Sequence, residues 1–447
     1  MKDLQTARDP RRKIPPVNQL VDHIVQHFGE QPPPHELAVR LARILAQVLR
    51  SDPEAVLGPD LLAQILAPLL HPGPKPVING TGILLHTNLG RAPLRRDVVE
   101  RALDQVSGYT DLEIDLTDGK RGHRDRHFAD LARLVWGVED GFVVNNAAAA
   151  VTLSLAAIAA GGQTVVSRGE LSEIGGSFRL PDIMKIAGTQ LVEVGTTNKT
   201  RLADYEEALC EQTACLLKTH PSNFRIEGFT AEVLLADLVT LGKKHDVPVI
   251  MDLGSGLSRA LAFPVVNEPF IEDYWEAGPD VLMFSGDKLF GGIQAGIVLG
   301  RKREVELMRR HPMMRMLRAD KLSIAVVCRQ LADTVMGRSM PLGDLANATP
   351  DDLERRARVM AERLPSGTTV IEETAQLGGG SLPGERCPSV ALLLNHPKPA
   401  RLARLLRCGR PAVMGYVRGN AFRINLAAVF PHQDEALVDC LLRVLCT

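Results

Sequence analysis

Asp280-Val-Leu-Met-Phe284, then Ser285-Gly286-Asp287-Lys288-Leu289-Phe290-Gly291-Gly292-Ile293-Gln294, then Ala295-Gly-Ile-Val-Leu299: two short apolar runs joined by a glycine-rich turn that carries one lysine. Such runs, bounded by Gly or Pro, predict buried strands. Lys288 is then expected at the mouth of a sheet.

An amine in water is an ammonium ion. Burial and neighbouring positive charge disfavour that form, and glycines let backbone approach a flat ring closely. This is the setting in which a lysine forms a Schiff base with pyridoxal phosphate. Ser285, three residues earlier, is a candidate to give its hydroxyl to the cofactor phosphate. A lysine in a polar turn is more often simply solvated, so the segment alone leaves both readings open.

Outward from this stretch, strand and helix patterns alternate. Strands are predicted at 141–144, 164–166, 213–217 and 247–251, and helices at 147–160 and 231–245. That order implies an α/β fold with a mostly parallel sheet covered by helices on both faces, whose ligands bind at the carboxyl ends of the strands. From about Gly343 the chain restarts as a compact α+β unit. At the other end, residues 17–70 carry apolar residues at helical spacing, punctuated by Pro32-Pro33-Pro34 and Ser51-Asp52-Pro53. The expected organisation is an N-terminal helical module over 1–70, a linker over 71–76, a large domain over 77–340 and a small C-terminal α+β domain over 341–447.

Other candidates fall at strand ends. Asn145-Asn146-Ala147-Ala148 stands where a strand hands over to a helix, and small residues there leave first-turn amides open to a phosphate; an ordinary Asn N-cap is the plainer account. Asp252 ends the run Val-Pro-Val-Ile-Met251, where a carboxylate suits a protonated pyridine nitrogen. His220-Pro-Ser-Asn223 follows the strand ending at Thr219, with Asn223 a candidate for a contact to the ring oxygen and His220, the weaker of the two, for a role near the substrate. Arg91, Arg315 and Arg318 offer forks for an anion, and their spacing predicts Arg315 and Arg318 on one helix face.

The chain has 447 residues, 45% of them hydrophobic and 23% charged, with a formal net charge of -1. Nothing global attracts nucleic acid or a membrane surface. Seven scattered cysteines without a C-x-x-C pair argue for reduced thiols and against a zinc site or disulfide framework. No apolar run reaches the length of a membrane span, and the N-terminus lacks a signal-like apolar core, so the expectation is a cytoplasmic protein without a metal.

Several longer strings carry a resemblance. They are Pro76-Val-Ile-Asn-Gly-Thr-Gly-Ile-Leu-Leu-His-Thr-Asn-Leu-Gly-Arg91, Gly119-Lys-Arg-Gly122, Val166-Ser-Arg-Gly-Glu-Leu-Ser-Glu-Ile-Gly-Gly-Ser-Phe-Arg179, Val192-Glu-Val-Gly-Thr-Thr-Asn-Lys-Thr200, Asp252-Leu-Gly-Ser-Gly256, the Lys288 segment and Gly378-Gly-Gly-Ser-Leu-Pro-Gly384. Together they resemble the bacterial selenocysteine synthase family, the L-seryl-tRNA(Sec) selenium transferases. The resemblance covers most of residues 75–430. The chain carries Ile293 and Ala147 where the family pattern implies Pro and Asn.

The resemblance implies the aspartate-aminotransferase-like fold (fold type I) of pyridoxal-phosphate enzymes, with Lys288 as the Schiff-base lysine. Asp252, Ser285, Asn146, Ala147, Ala148 and Asn223 would then bind the cofactor, and Arg91, Arg315 and Arg318 the selenium donor. It further implies conversion of seryl-tRNA(Sec) to selenocysteinyl-tRNA(Sec) with selenophosphate, through a dehydroalanyl intermediate. The assembly would be a homodecamer built as a pentamer of dimers, and the N-terminal module would read the tRNA. In that module eight Lys and Arg balance eight Asp and Glu over residues 1–70, so its charge alone does not announce RNA binding. The alternative is a pyridoxal-phosphate lyase acting on a small phosphorylated amino sugar or amino acid.

Overall fold

The computed structural model describes residues 14–29, 31–52, 55–174, 178–222, 224–259, 268–378 and 384–446. The chain divides into two compact units, Met1–Pro76 and Val77–Thr447.

The first unit contains α1 (Val17–Phe28), α2 (His35–Ser51) and α3 (Pro59–Leu70). In α2, Ala38, Leu41, Ala42, Leu45 and Ala46 repeat every three or four residues and are buried, the spacing that gives a helix one apolar stripe. That stripe packs with Leu20, Val21 and Ile24 of α1 and Leu62 and Leu66 of α3 into a small core of its own. Pro59 occupies the first turn of α3, where its missing N–H costs nothing.

The second unit opens with two short strands, β1 (Val77–Asn79) and β2 (Ile83–Leu85). A large sheet follows, made of β3 (Asp140–Val144), β4 (Gln163–Ser167), β5 (Gln190–Val194), β6 (Thr213–Thr219), β7 (Val249–Gly254), β8 (Val281–Ser285) and β9 (Gly296–Gly300). Its spatial order is β3-β9-β8-β7-β6-β4-β5. Only β9 runs antiparallel to its neighbours, and the other pairings are parallel. Every residue of β3, β8 and β9 is buried, as expected of strands covered on both faces. One cover is the helix Ala147–Ile158, whose Ala149–Ala156 stretch is buried throughout; its Ser154 Oγ is satisfied at 2.8 Å by the Ala150 carbonyl.

A third segment supplies β10 (Thr368–Gly378), β11 (Arg386–Asn395), β12 (Ala412–Met414), β13 (Tyr416–Arg418) and β14 (Ala421–Asn425). Here β1 and β2, which the sequence groups with the large domain, turn out to pair with C-terminal strands: β1 with β12, and β2 with β10 at the edge of a five-stranded sheet. The buried Asn425 ties this sheet together. Its Nδ2 donates to the Thr374 carbonyl at 3.1 Å and its Oδ1 accepts from Ser389 Oγ at 2.8 Å.

One helix is shorter than its periodicity predicts. It spans Leu235–His245 rather than starting at residue 231, because Ala231 is drawn into extended pairing with the 198–200 segment. The Ala231 amide donates to the Asn198 carbonyl at 3.0 Å, and the Thr200 amide to the Ala231 carbonyl at 2.9 Å. Among the described residues, no helix is long and apolar enough to cross a membrane, and no cluster of His, Cys, Asp and Glu is arranged to hold a metal ion.

Candidate active site

Three strand ends lie side by side at the carboxyl edge. Ser285 of β8 pairs with Gly296 of β9, and Gly296 pairs with Val144 of β3. The last strand residue before the lysine and the last before the Ala147–Ile158 helix are therefore two strand spacings apart, about 10 Å. Glycine is required at Gly296, since a Cβ there would stand 2.2 Å from the Asn146 carbonyl oxygen. Gly286 is equally confined, with a Cβ meeting the Ile293 carbonyl at 2.6 Å. The loop closes on itself through the Gly292 amide to the Gly286 carbonyl (2.7 Å) and the Gly291 amide to the Lys288 carbonyl (2.9 Å).

Within this loop Lys288 is mostly buried, and burial holds its ammonium below the ordinary lysine pKa. The Asp252 carboxylate opposes that shift and the Arg91 guanidinium adds to it. On the neighbouring strand Asp252 pairs with Met283 of β8 and Thr219 of β6. Burial pushes its pKa up to about 6 against the opposing charge of Lys288. Its Oδ1 is buried without a hydrogen-bond partner. An orphaned carboxylate oxygen inside a protein costs free energy unless a donor meets it, so this atom marks a place prepared for one.

Arg91 lies just past the short helix Thr87–Leu89 that follows β2, in a turn where its own φ is 60° and its amide donates to the His86 carbonyl at 3.0 Å. From there Arg91 Nη1 donates to Asp287 Oδ2 at 2.7 Å. The other oxygen of Asp287 accepts from Ser285 Oγ at 2.7 Å. In this arrangement the hydroxyl hydrogen of Ser285 is engaged by Asp287, which leaves Oγ as an acceptor. Sequence reading passed over Asp287. The signal was there: an acid directly before the lysine and an arginine closing the turn after a strand.

At the head of the Ala147–Ile158 helix, Asn146 acts as N-cap, its Oδ1 accepting from the Ala149 amide at 2.8 Å. The amides of Ala147 and Ala148 are first-turn donors without an intrahelical acceptor. With alanine side chains, they can hold an anion there only through backbone and helix dipole.

The three arginines do not converge on one spot of this chain. Arg315 sits in the four-residue helix Met314–Leu317, and Arg318 lies beyond its end with extended backbone (ψ 139°). The expectation of a shared helix face is thus corrected: Val144 forms a strand-like bridge with Arg318, and the Asn145 amide bonds to the Leu317 carbonyl at 2.9 Å, which stops the helix. Both side chains line an open cleft with Arg121, Arg124 and Arg309, and Arg91 is not on it. Arg318 nevertheless abuts the strand end that carries Asn146.

Asn223 lies outside the described residues. His220 is part of a small network that the sequence did not disclose. Its amide donates to the Asp252 carbonyl at 2.9 Å, its Nε2 lies 3.3 Å from Glu268 Oε2, and its Nδ1 lies 3.5 Å from Tyr274 Oη. Ser255 Oγ donates to the other oxygen of Glu268, and the Ser255 carbonyl accepts from the Leu289 amide at 3.1 Å. No local pattern could have linked residues so far apart in sequence.

A mostly buried lysine, a partnerless carboxylate oxygen and an open helix N-terminus, gathered at the carboxyl edge of a mostly parallel sheet, define an α/β enzyme whose lysine is set up to react with an anionic ligand. Residues 77–430 match the L-seryl-tRNA selenium transferase family, and the chain belongs to that family. It is 39% identical to the L-seryl-tRNA(Sec) selenium transferase of Moorella thermoacetica over 98% of both chains. It is 43% identical to that of Carboxydothermus hydrogenoformans, over 80% of this chain and 79% of the relative. Among solved structures, a D-glucosaminate-6-phosphate ammonia-lyase shares the fold with a TM-score of 0.60 at 18% identity, over 85% of this chain and 97% of that one.

Proposed function

We propose that the chain is a pyridoxal-phosphate-dependent transferase that converts L-seryl-tRNA(Sec) to L-selenocysteinyl-tRNA(Sec), with selenophosphate as the selenium donor. The observation that carries the reading is the buried, partnerless Oδ1 of Asp252 beside a lysine whose ammonium is disfavoured by burial, in a chain of this family.

The donor set fits the cofactor. The amine of Lys288 would hold it covalently, Asp252 Oδ1 would accept its ring N–H, and the amides of Ala147 and Ala148 would take its phosphate. When bound, the cofactor supplies an electron sink at the substrate α-carbon. Lys288 would move the proton at the seryl α-carbon, since burial lowers its pKa and so favours the free amine that such a base needs. Asp252 stays ionised only while it faces positive charge, so it and a protonated ring nitrogen stabilise one another. Arg91 is held by Asp287 against the lysine loop, Arg318 abuts the strand end at Val144, and Arg315 lines the cleft beside Arg318. These guanidinium groups would hold an anionic donor. The reading includes a cytoplasmic homodecamer, built as a pentamer of dimers, with the N-terminal unit contacting the tRNA.

The deciding assay combines purified holoenzyme, seryl-tRNA(Sec) and selenophosphate and follows selenocysteinyl-tRNA. Wild type is expected to form product and Lys288→Ala none. A wild type that ignores seryl-tRNA but eliminates ammonia from a free phosphorylated amino sugar would establish the lyase alternative instead.

A further inference from the structure

Beside the lysine site, along the same strand edge, lies a pocket that the chemistry above leaves unused. Its walls come from the ends of β4, β5 and β6, and include Glu170, His220, Phe224, Glu232, Glu268 and Glu385. The His220–Glu268 wall is shared with the lysine site, because His220 bonds to the backbone of Asp252 and Glu268 to Ser255. From Asp252 on β7 to the end of β4 is two strand spacings, about 10 Å.

We propose that this pocket receives the terminal ribose and base of the aminoacyl-tRNA, an assignment that rests on the function proposed above. Three observations lead there. The first is distance: seven bonds separate the seryl β-carbon from the base of a seryl nucleoside, a reach of about 9 Å, and the near wall of the pocket at His220 ends a strand two spacings, about 10 Å, from the strand that leads to Lys288. The second is charge. Glu170 is paired with Lys218 at 3.0 Å, Glu232 lies 3.6 Å from the same amine, Glu385 is paired with Arg225 at 3.3 Å and Lys199 also lines the wall, so four carboxylates face a nearly equal number of cations. The pocket's carboxylates can accept hydrogen bonds from ribose hydroxyls and an exocyclic amine, the role a carboxylate plays toward ribose in dinucleotide sites. The third is the aromatic ring of Phe224, partly exposed at the pocket wall, since single-stranded RNA ends are held by stacking on such rings. The open helix N-terminus and Arg318 lie at the opposite end of the sheet edge, by β3.

The test uses holoenzyme and two small substrates, 3′-O-seryl-adenosine and serine methyl ester, with selenophosphate, and seryl-tRNA(Sec) as control. Wild type is expected to favour the adenosine ester by about tenfold or more in kcat/KM, the scale of one base stacked on an aromatic ring. Phe224→Ala and Glu232→Gln should each bring that ratio toward one and raise KM for seryl-tRNA(Sec). Phe224→Leu keeps apolar volume without the ring and should behave like Phe224→Ala, while the exposed Glu232 is replaced without loss of fold. An enzyme that converts seryl-tRNA(Sec) yet treats both esters alike, or variants that keep the preference, would overturn the pocket assignment and leave the function standing. No conversion of seryl-tRNA(Sec) by wild type would overturn both.

Discussion

Asp287 stands between Arg91 and Ser285, accepting from Arg91 Nη1 at 2.7 Å on one oxygen and from Ser285 Oγ at 2.7 Å on the other. Its backbone also accepts from the Ala92 amide at 3.2 Å. One carboxylate, next to Lys288, thus joins the turn after β2 to the end of β8 at Ser285. Arg91 remains partly exposed while Asp287 is buried, so the pair orients the guanidinium more than it stabilises the fold. Asp287→Ala is expected to lower kcat/KM for the selenium donor at least tenfold. Asp287→Asn, which keeps one acceptor oxygen and so one of the two bonds, should lose less. Steady-state kinetics at varied donor concentration checks the order.

Lys288→Ala removes the only amine in the glycine-rich loop. The expected outcome is loss of the Schiff-base absorbance near about 420 nm together with all product formation. Because Lys288 is mostly buried with its ammonium disfavoured, cofactor-free Lys288→Ala should be no less stable than cofactor-free wild type. A thermal melt of both cofactor-free proteins and a spectrum of the reconstituted ones decide this.

The carboxyl group of Asp252 titrates at about 6 in the folded protein because burial disfavours its charge, against about 4 when unfolded. The folded state therefore binds this proton more tightly. Its contribution to stability is fully present below about pH 4 and is lost as pH rises through about 6. Asp252→Asn should flatten the pH dependence of the cofactor-free protein over that window. At pH 7.5 the variant should be more stable by about 1–3 kcal/mol, while activity falls by about 100-fold or more. Urea denaturation at pH 4.5 and 7.5 reads the first effect, and a variant less stable than wild type at pH 7.5 would falsify it.

Much of this site was legible because it is local. The apolar runs flanking Ser285–Lys288 could only be strands, and Asp252 ended another, so strand order alone brought them to one edge. What the sequence withheld depends on long-range pairing. Asp287 becomes a hub only because β2, far upstream, joins the C-terminal sheet and delivers Arg91 to it. The Glu268–His220–Tyr274 contacts need the loop after β6 to meet Glu268 and the helix Ile271–Glu276, far along the chain. The helix carrying Arg315 stops at Leu317 because the strand end at Val144 captures Arg318, a competition that helical spacing does not contain. Likewise the 231–234 segment is claimed by a bridge to 198–200 rather than by its own periodicity.

Gly296 faces the Asn146 carbonyl so closely that an added methyl would lie 2.2 Å from it. Neither side can yield, since Asn146 caps its helix and Gly296 is paired on both sides. Gly296→Ala is expected to cost about 2–3 kcal/mol and to displace the first-turn amides of Ala147 and Ala148. Its melting temperature should fall, and its affinity for pyridoxal phosphate should weaken more than that of a surface Gly→Ala control such as Gly343→Ala, whose Cβ meets nothing within 4 Å.

The unit Met1–Pro76 has its own core of Leu20, Ile24, Leu45 and Leu66, so removing it leaves the cores of the second unit whole. A chain lacking residues 1–76 is expected to keep the cofactor band and cooperative unfolding. If the helical unit reads the tRNA, this chain should lose at least tenfold in kcat/KM for seryl-tRNA(Sec), with the loss in KM. Its kcat/KM for a seryl nucleoside ester, which offers no tRNA body to grip, should change far less. Equal losses on both substrates would instead assign the unit to the integrity of the catalytic body. Full activity on seryl-tRNA(Sec) would remove it from recognition altogether.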